Sequence, residues 1–278
     1  MNWVFFLAAA GLACGGHGTR DSMLVSTTWL AAHMNDPHLV ILAVGRPGEY
    51  DSGHIPGALE LKYTDIVTKA GETSLTTELP PMERLAAVFG ALGVSNQSRV
   101  VLYVSNDALS LTTRAYLTLD AMGMGARTSL LDGGYVTWKS ENRPVTQAVR
   151  AVKPAKFVPC PQHDIVADRA YMQANLHRPA IDIVDARDPG FYTGAQIPNG
   201  QRAGHIPGAS NISYKTLVDA MNHFKSPAEL ADLFTAHGVK TGDRVVSYCH
   251  IGQQATVVYF VARYLGYDAR LYDGSWED

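Results

Sequence analysis

Two copies of one α/β domain, each a parallel sheet covered by helices, are what this sequence predicts, and three observations predict them. The first is an internal repeat. Gly53-His54-Ile55-Pro56-Gly57-Ala58 recurs as Gly204-His205-Ile206-Pro207-Gly208-Ala209. In the same order, Leu92-Gly93-Val94 followed by Val100-Val101-Leu102-Tyr103 recurs as His237-Gly238-Val239 followed by Val245-Val246-Ser247-Tyr248, and Asp132-Gly133-Gly134 recurs as Asp273-Gly274-Ser275. Ordered recurrence of this kind marks a duplicated unit. The second is alternation: short β-branched runs exchange with stretches of helical period, the pattern of a parallel sheet with helices on both faces. The third is length, since 278 residues accommodate two ordinary domains.

The boundaries follow from these signals. Residues 1–20 read as an export signal and short tether, 21–146 as the first domain, 147–162 as a linker with three prolines, and 163–278 as the second domain. In the second copy, Tyr171 lies in a helical stretch and Ile181–Asp185 is a strand. Pro227–Ala236 is helical, Val245–Tyr248 is a strand, and Ala255–Leu265 is a helix for which Gly266 is the expected C-terminal cap. A last strand lies near Ala269–Tyr272.

Composition excludes several function classes. Apolar residues make up 46% of the chain, as in a globular protein. A net charge of -3 without a basic stripe leaves no footprint for nucleic acid. The three cysteines, Cys14, Cys160 and Cys249, lie far apart and the ten histidines are scattered, so no metal-ligand spacing exists and no metal site is expected.

The N-terminus differs from the rest. Trp3–Ala13 is a short apolar run, too short to span a bilayer, and Gly11 and Ala13 are the small residues a signal peptidase cuts after. Leu12-Ala13-Cys14 also resembles a bacterial lipoprotein signal. The expectation is a periplasmic or otherwise exported protein, in contact with a membrane only if Cys14 is lipidated.

Chemistry concentrates on Val245–Thr256. Cys249 ends a predicted strand and precedes a helix N-terminus, where unpaired N–H groups and the helix dipole favour an anion and make a thiolate a candidate nucleophile. The competing reading is a buried small hydrophobe. In an open parallel sheet the ligand crevice lies beyond the carboxyl ends of the strands. Arg187 follows the Ile181 strand and Cys249 follows the Val245 strand, so both belong at that end. A fork-shaped cation beside a nucleophile suits an anionic substrate; a loop salt bridge from Arg187 to Asp185 or Asp188 is the alternative.

Together these residues resemble the tandem-domain rhodanese sulfurtransferases. The resemblance rests on the two Gly-His-Ile-Pro-Gly-Ala segments, Val184-Asp185-Ala186-Arg187, Tyr248-Cys249 with its loop, and Tyr272-Asp273-Gly274-Ser275-Trp276. It implies two five-stranded α/β domains, with Cys249 as the catalytic residue and Arg187 as substrate-binding. Backbone amides of His250, Ile251, Gly252, Gln253 and Gln254 match the family's anion-cradling loop. The implied reaction moves a sulfane sulfur from a small anionic donor, thiosulfate, through a Cys249 persulfide to a thiophilic acceptor such as cyanide or a thiol, with no cofactor. Val104 stands where the first copy would carry the cysteine, so the first domain is expected to be a structural partner that closes one side of the cleft; Arg46 matches Arg187 there.

Other readings compete for the same residues. A cysteine phosphatase needs an arginine six positions after the cysteine, and that position is Ala255. A cysteine protease needs a histidine base that the sequence does not assign. A 3-mercaptopyruvate sulfurtransferase, or a non-catalytic sulfur carrier or binding module, stays open. Thiosulfate is favoured because Arg187 supplies a fixed charge and the loop lacks the serine seen in mercaptopyruvate-using relatives. Charged His250 would assist, with activity weakening as pH rises past its pKa; Gln253 and Gln254 would add neutral donors.

Overall fold

The computed structural model of the chain describes residues 18–197, 200 and 202–278; the proposed export signal and Cys14 lie outside the described residues. Among the described residues, ten strands fall into two five-stranded sheets. The first contains β1 (Leu24–Val25), β2 (Leu39–Val44), β3 (Leu59–Glu60), β4 (Arg99–Val104) and β5 (Thr128–Leu131) in the order β1-β5-β4-β2-β3. The second contains β6 (Val166–Ala167), β7 (Ile181–Asp185), β8 (Ser210–Asn211), β9 (Arg244–Tyr248) and β10 (Asp268–Tyr272) in the order β6-β10-β9-β7-β8. The two orders are the same, and every pairing is parallel. The central strands β4 and β9 are apolar along most of their length because helices cover both faces, as parallel sheets require.

The repeated Gly-His-Ile-Pro-Gly-Ala segments do the same structural work twice. Tyr50 stacks on His54 and donates to the Ala58 carbonyl at 2.9 Å; Tyr192 stacks on His205 and donates to the Ala209 carbonyl at 2.8 Å. The strand tyrosines complete each turn, with Ile55 N–H donating to Tyr103 Oη and Ile206 N–H donating to Tyr248 Oη. These histidines hold turns, as the glycine- and proline-rich context predicts.

Helices Leu109–Ala121 and Ala255–Leu265 pack against each other and join the two domains. Tyr116 meets Phe260 edge-on at 4.9 Å, and Thr113 Oγ1 lies 2.7 Å from Thr256 Oγ1. One apolar cluster runs through both units, from Phe89, Leu102 and Tyr116 to Phe234, Val245 and Phe260. Polar contacts across the interface are reciprocal: Phe224 N–H donates to Asp132 of the first domain, and Leu79 N–H donates to Asp273 of the second. The stretch between the domains is strapped onto the first one, through Ala155 N–H to the Gly90 carbonyl and Cys160 N–H to the Met122 carbonyl, with Phe157 buried. Among the described residues no helix is long and apolar enough to cross a membrane.

Candidate active site

Cys249 is the residue after β9 and is fully buried. The five residues that follow make the turn into the Ala255–Leu265 helix, which ends at Gly266 in the left-handed conformation. Gly252 has φ +75°, and a Cβ there would lie 2.6 Å from the Asp273 carbonyl oxygen, so only glycine fits. The N–H groups of Ile251, Gly252, Gln253 and Gln254 meet no acceptor among the described residues. Unpaired amides converging at a helix start form an anion cradle.

The segment after β10 clasps the strand end that carries the cysteine. Cys249 N–H donates to Ser275 Oγ at 3.1 Å, Trp276 N–H donates to the Cys249 carbonyl at 3.0 Å, and Glu277 N–H donates to the His250 carbonyl at 3.1 Å. Asp273 is held in turn by a first-domain cation. Buried Arg114, on the Leu109–Ala121 helix, places Nη1 2.5 Å from Asp273 Oδ1 and 3.1 Å from the Gly252 carbonyl, and Nη2 2.8 Å from the Thr77 carbonyl. Burial works against the Arg114 charge, but Asp273 outweighs it and holds the guanidinium above its ordinary range. Thr77 Oγ1 donates to the Ile251 carbonyl at 2.7 Å, and Thr76 donates through N–H and Oγ1 to Glu277.

Arg187 follows β7, as its strand position predicts, and its side chain is fully buried. Nε and Nη2 grip the Asp185 carboxylate, with Nη2 at 2.6 Å, and Nη2 also donates to the Gly204 carbonyl at 2.7 Å. The salt bridge to Asp185 is therefore real, while Asp188 pairs with Lys215 instead. The guanidinium lies 4.9 Å from the Trp276 ring and 5.8 Å from Tyr248, and its third nitrogen, Nη1, is buried without a hydrogen-bond partner. Despite its burial, the Asp185 contact keeps Arg187 more firmly charged than usual.

The loop side chains divide. His250 sets its ring edge-on to Phe191 at 4.7 Å. Burial, and then the Arg187 charge, push its pKa below the ordinary value, so the ring takes up a proton less readily than an ordinary histidine. Gln253 Nε2 donates to Ser110 Oγ at 2.9 Å, tying the loop to the first domain. Gln254 Oε1 is buried and unpartnered.

Residues 26–141 and 168–278 both match the family model described as rhodanese-like domain. The chain belongs to the rhodanese family. Among relatives of this rhodanese-family chain is a Synechococcus elongatus protein named "Putative thiosulfate sulfurtransferase", 33% identical over 267 residues and covering 91% of this chain and 81% of its own. The sulfur carrier protein TtuD of Thermus thermophilus is 32% identical over 274 residues, covering 93% and 94%. Among solved structures, SseA of Escherichia coli, described with the 3-mercaptopyruvate sulfotransferases, superposes with a TM-score of 0.81 at 27% identity, covering 92% of this chain and 99% of its own. The chain is thus a rhodanese-family sulfurtransferase of two five-stranded domains.

Arg114, Thr77 and Glu277 carry no signal in the sequence, and Asp273 and Ser275 stand there only as part of a repeated segment without a role at the site. The repeated Asp-Gly-Gly and Asp-Gly-Ser segments were a signal for Asp273, because repetition at a sheet's carboxyl edge marks a shared structural duty. A cleft of about 630 Å³ is walled by Leu75, Leu79, Tyr272 and Asp273. Cys249 does not line it. Among the described residues no cluster of His, Cys, Asp and Glu is arranged to hold a metal ion.

Proposed function

We propose that Cys249 carries sulfur as a persulfide and that thiosulfate is the donor. The observation that supports this best is the run of unpartnered loop amides just after Cys249 at the end of β9, with the unpartnered Nη1 of Arg187 just past the end of the neighbouring β7. The Cys249 thiolate attacks the outer sulfur of thiosulfate; the S–S bond breaks, sulfite leaves with its electron pair, and Cys249 holds a persulfide. Cyanide or a thiolate then attacks the terminal sulfur and regenerates the thiolate, giving ping-pong kinetics. Arg187 holds the sulfonate end and the amides spread the charge on sulfur. Because Cys249 is fully buried, a donor reaches it only when side chains around it yield.

Mass spectrometry of the protein with thiosulfate tests this. One added sulfur on Cys249 is expected. Cys249→Ser should lose thiocyanate formation by roughly three orders of magnitude or more, because a hydroxyl forms no persulfide. Turnover in that variant would rule the assignment out.

The likeness to SseA supports 3-mercaptopyruvate as a second donor reading. Comparing kcat/KM for the two donors on one preparation decides between them, and thiosulfate is expected to win. Export is also proposed, on the apolar run Trp3–Ala13 alone. N-terminal sequencing should find a mature chain beginning near Cys14, and Met1 on the cellular protein would refute export.

A further inference from the structure

Every backbone carbonyl from Cys249 to Gln253 accepts a hydrogen bond. The Trp276 and Glu277 N–H groups hold those of Cys249 and His250, and Thr256 Oγ1 holds that of Gln253 at 2.7 Å. The two in the middle are held by the cysteine-free domain: Thr77 Oγ1 donates to the Ile251 carbonyl at 2.7 Å, and Arg114 Nη1 to the Gly252 carbonyl at 3.1 Å. Among the described residues no peptide bond is cis. A planar trans peptide points its carbonyl and its N–H in opposite directions. Fixing the Ile251 and Gly252 carbonyls from the first domain therefore aims the Gly252 and Gln253 N–H groups the other way, and both are among the amides that meet no acceptor.

Thr77 makes its contact from a backbone that threonine avoids. Its φ is +56°, where a β-branched residue is a genuine outlier and carries strain. The internal repeat supplies the comparison. Leu79 and Phe224 each donate to the aspartate that follows the other domain's last strand, and the residues two positions before them are Thr77 and Asn222. Asn222 has φ +63°, which asparagine tolerates. Its Nδ2 donates at 3.0 Å to the carbonyl of Asn106, which lies two residues after Val104 as Ile251 lies two residues after Cys249. In both copies this position holds the loop after the other domain's central strand. The strained residue stands where that loop carries the cysteine.

We propose that Thr77 is a positioning residue for sulfur transfer, which holds the Ile251 carbonyl so that the Gly252 N–H is turned into the cradle that receives the charged sulfur. The proposal rests on the persulfide reading above. It gives the cysteine-free domain a part in the rate of the reaction besides its part in the stability of the loop.

The experiment is single-turnover sulfur loading from thiosulfate, followed by mass spectrometry, in wild type, Thr77→Gly and Thr77→Asn. Both substitutions accept the positive φ; glycine has no side-chain donor, and asparagine keeps one, as Asn222 does. Loading at saturating thiosulfate should slow by about tenfold in Thr77→Gly, because a cradle N–H is misdirected rather than removed. In Thr77→Asn it should stay within about twofold of wild type, and the protein should melt no lower than wild type because the strain is relieved. Wild-type loading in Thr77→Gly, a loss there confined to the half-saturating concentration, or an equal loss in both variants overturns the proposal. A wild type that takes up no sulfur overturns the persulfide reading, and this proposal with it; the wild-type arm keeps the two failures apart.

Discussion

Arg187 answers two purposes with one side chain. Its Nε and Nη2 edge is bound to Asp185 and Gly204, which fixes the plane of the guanidinium, and Nη1 is left over. Replacing it by alanine would strand a buried Asp185 carboxylate and confuse binding with folding. Arg187→Lys is the cleaner variant, because it keeps the charge and loses the fork. A charge-assisted hydrogen bond contributes about 1.5–3 kcal/mol, so the KM for thiosulfate should rise roughly ten- to hundredfold with a smaller change in kcat. Unchanged kinetics would leave Arg187 as only the partner of Asp185. His250 gives a pH prediction of opposite character. Its pKa lies below the ordinary 6.5, through burial first and Arg187 second, so it becomes charged only in more acidic solution. Wild type and His250→Ala should therefore show parallel kcat/KM curves from about pH 7 upward and diverge only on the acid side. Divergence centred above pH 7 would show that the ring is charged in the working range.

At the scale of elements, the sequence showed the strands and helices of each copy well. Ile181–Asp185, Pro227–Ala236 and Ala255–Leu265 form where periodicity and capping residues place them, because these signals are local. The cradle after Cys249 was legible for the same reason: strand end, glycine and helix start are contiguous in the chain. What stayed illegible was long-range. Nothing local in Leu109–Ala121 says that Arg114 reaches Asp273, 159 residues away, or that Thr77 meets Ile251. The expectation that the first domain is a structural partner understates its part, since its side chains lock the Cys249 loop. Arg114→Met tests that lock. It removes the cation from a buried pair and leaves Asp273 with Leu79 N–H as its remaining partner at the interface, which should cost about 3–5 kcal/mol in unfolding free energy. Asp273→Asn in the same background should recover part of the loss, because the stranded charge is gone. A loss of less than about 1 kcal/mol in Arg114→Met would mean the loop is held by the other contacts.

At the scale of the molecule, the shared apolar cluster makes the two copies one cooperative body, and its interface carries a titrating group. Asp120 lies at the end of the Leu109–Ala121 helix and accepts from Tyr259 Oη of the second domain at 2.7 Å. Tyr116 and Arg263, the latter with Nε at 3.8 Å, also lie near it. Burial pushes its pKa up to about 7; the Tyr259 hydrogen bond pulls it down and Asp164 raises it. The folded carboxyl thus keeps a proton that the unfolded one, with an ordinary value of 3.8, has released. Between those two values the folded state binds more protons, so stability falls as pH rises through the window and the whole penalty is present above it. The carboxyls whose pKa values are lowered, such as Asp188 and Asp278, act below the ordinary carboxylate range and leave the interval from pH 5 to 8 nearly untouched. His250 acts within that interval with the opposite sign, because its lowered pKa disfavours the folded state at acid pH and that effect fades as pH rises. Urea unfolding of wild type should show one transition whose midpoint drops between pH 5 and pH 8. In Asp120→Asn the amide still accepts from Tyr259 and cannot ionise, so the midpoint should fall much less, the remaining slope coming from Asp132 and Asp182, whose carboxyls burial also raises, and the variant should exceed wild type at pH 8 by on the order of a few kcal/mol. Parallel curves for the two proteins would show that the Asp120 carboxyl titrates alike folded and unfolded, and the pH response of the interface would then have to come from another group.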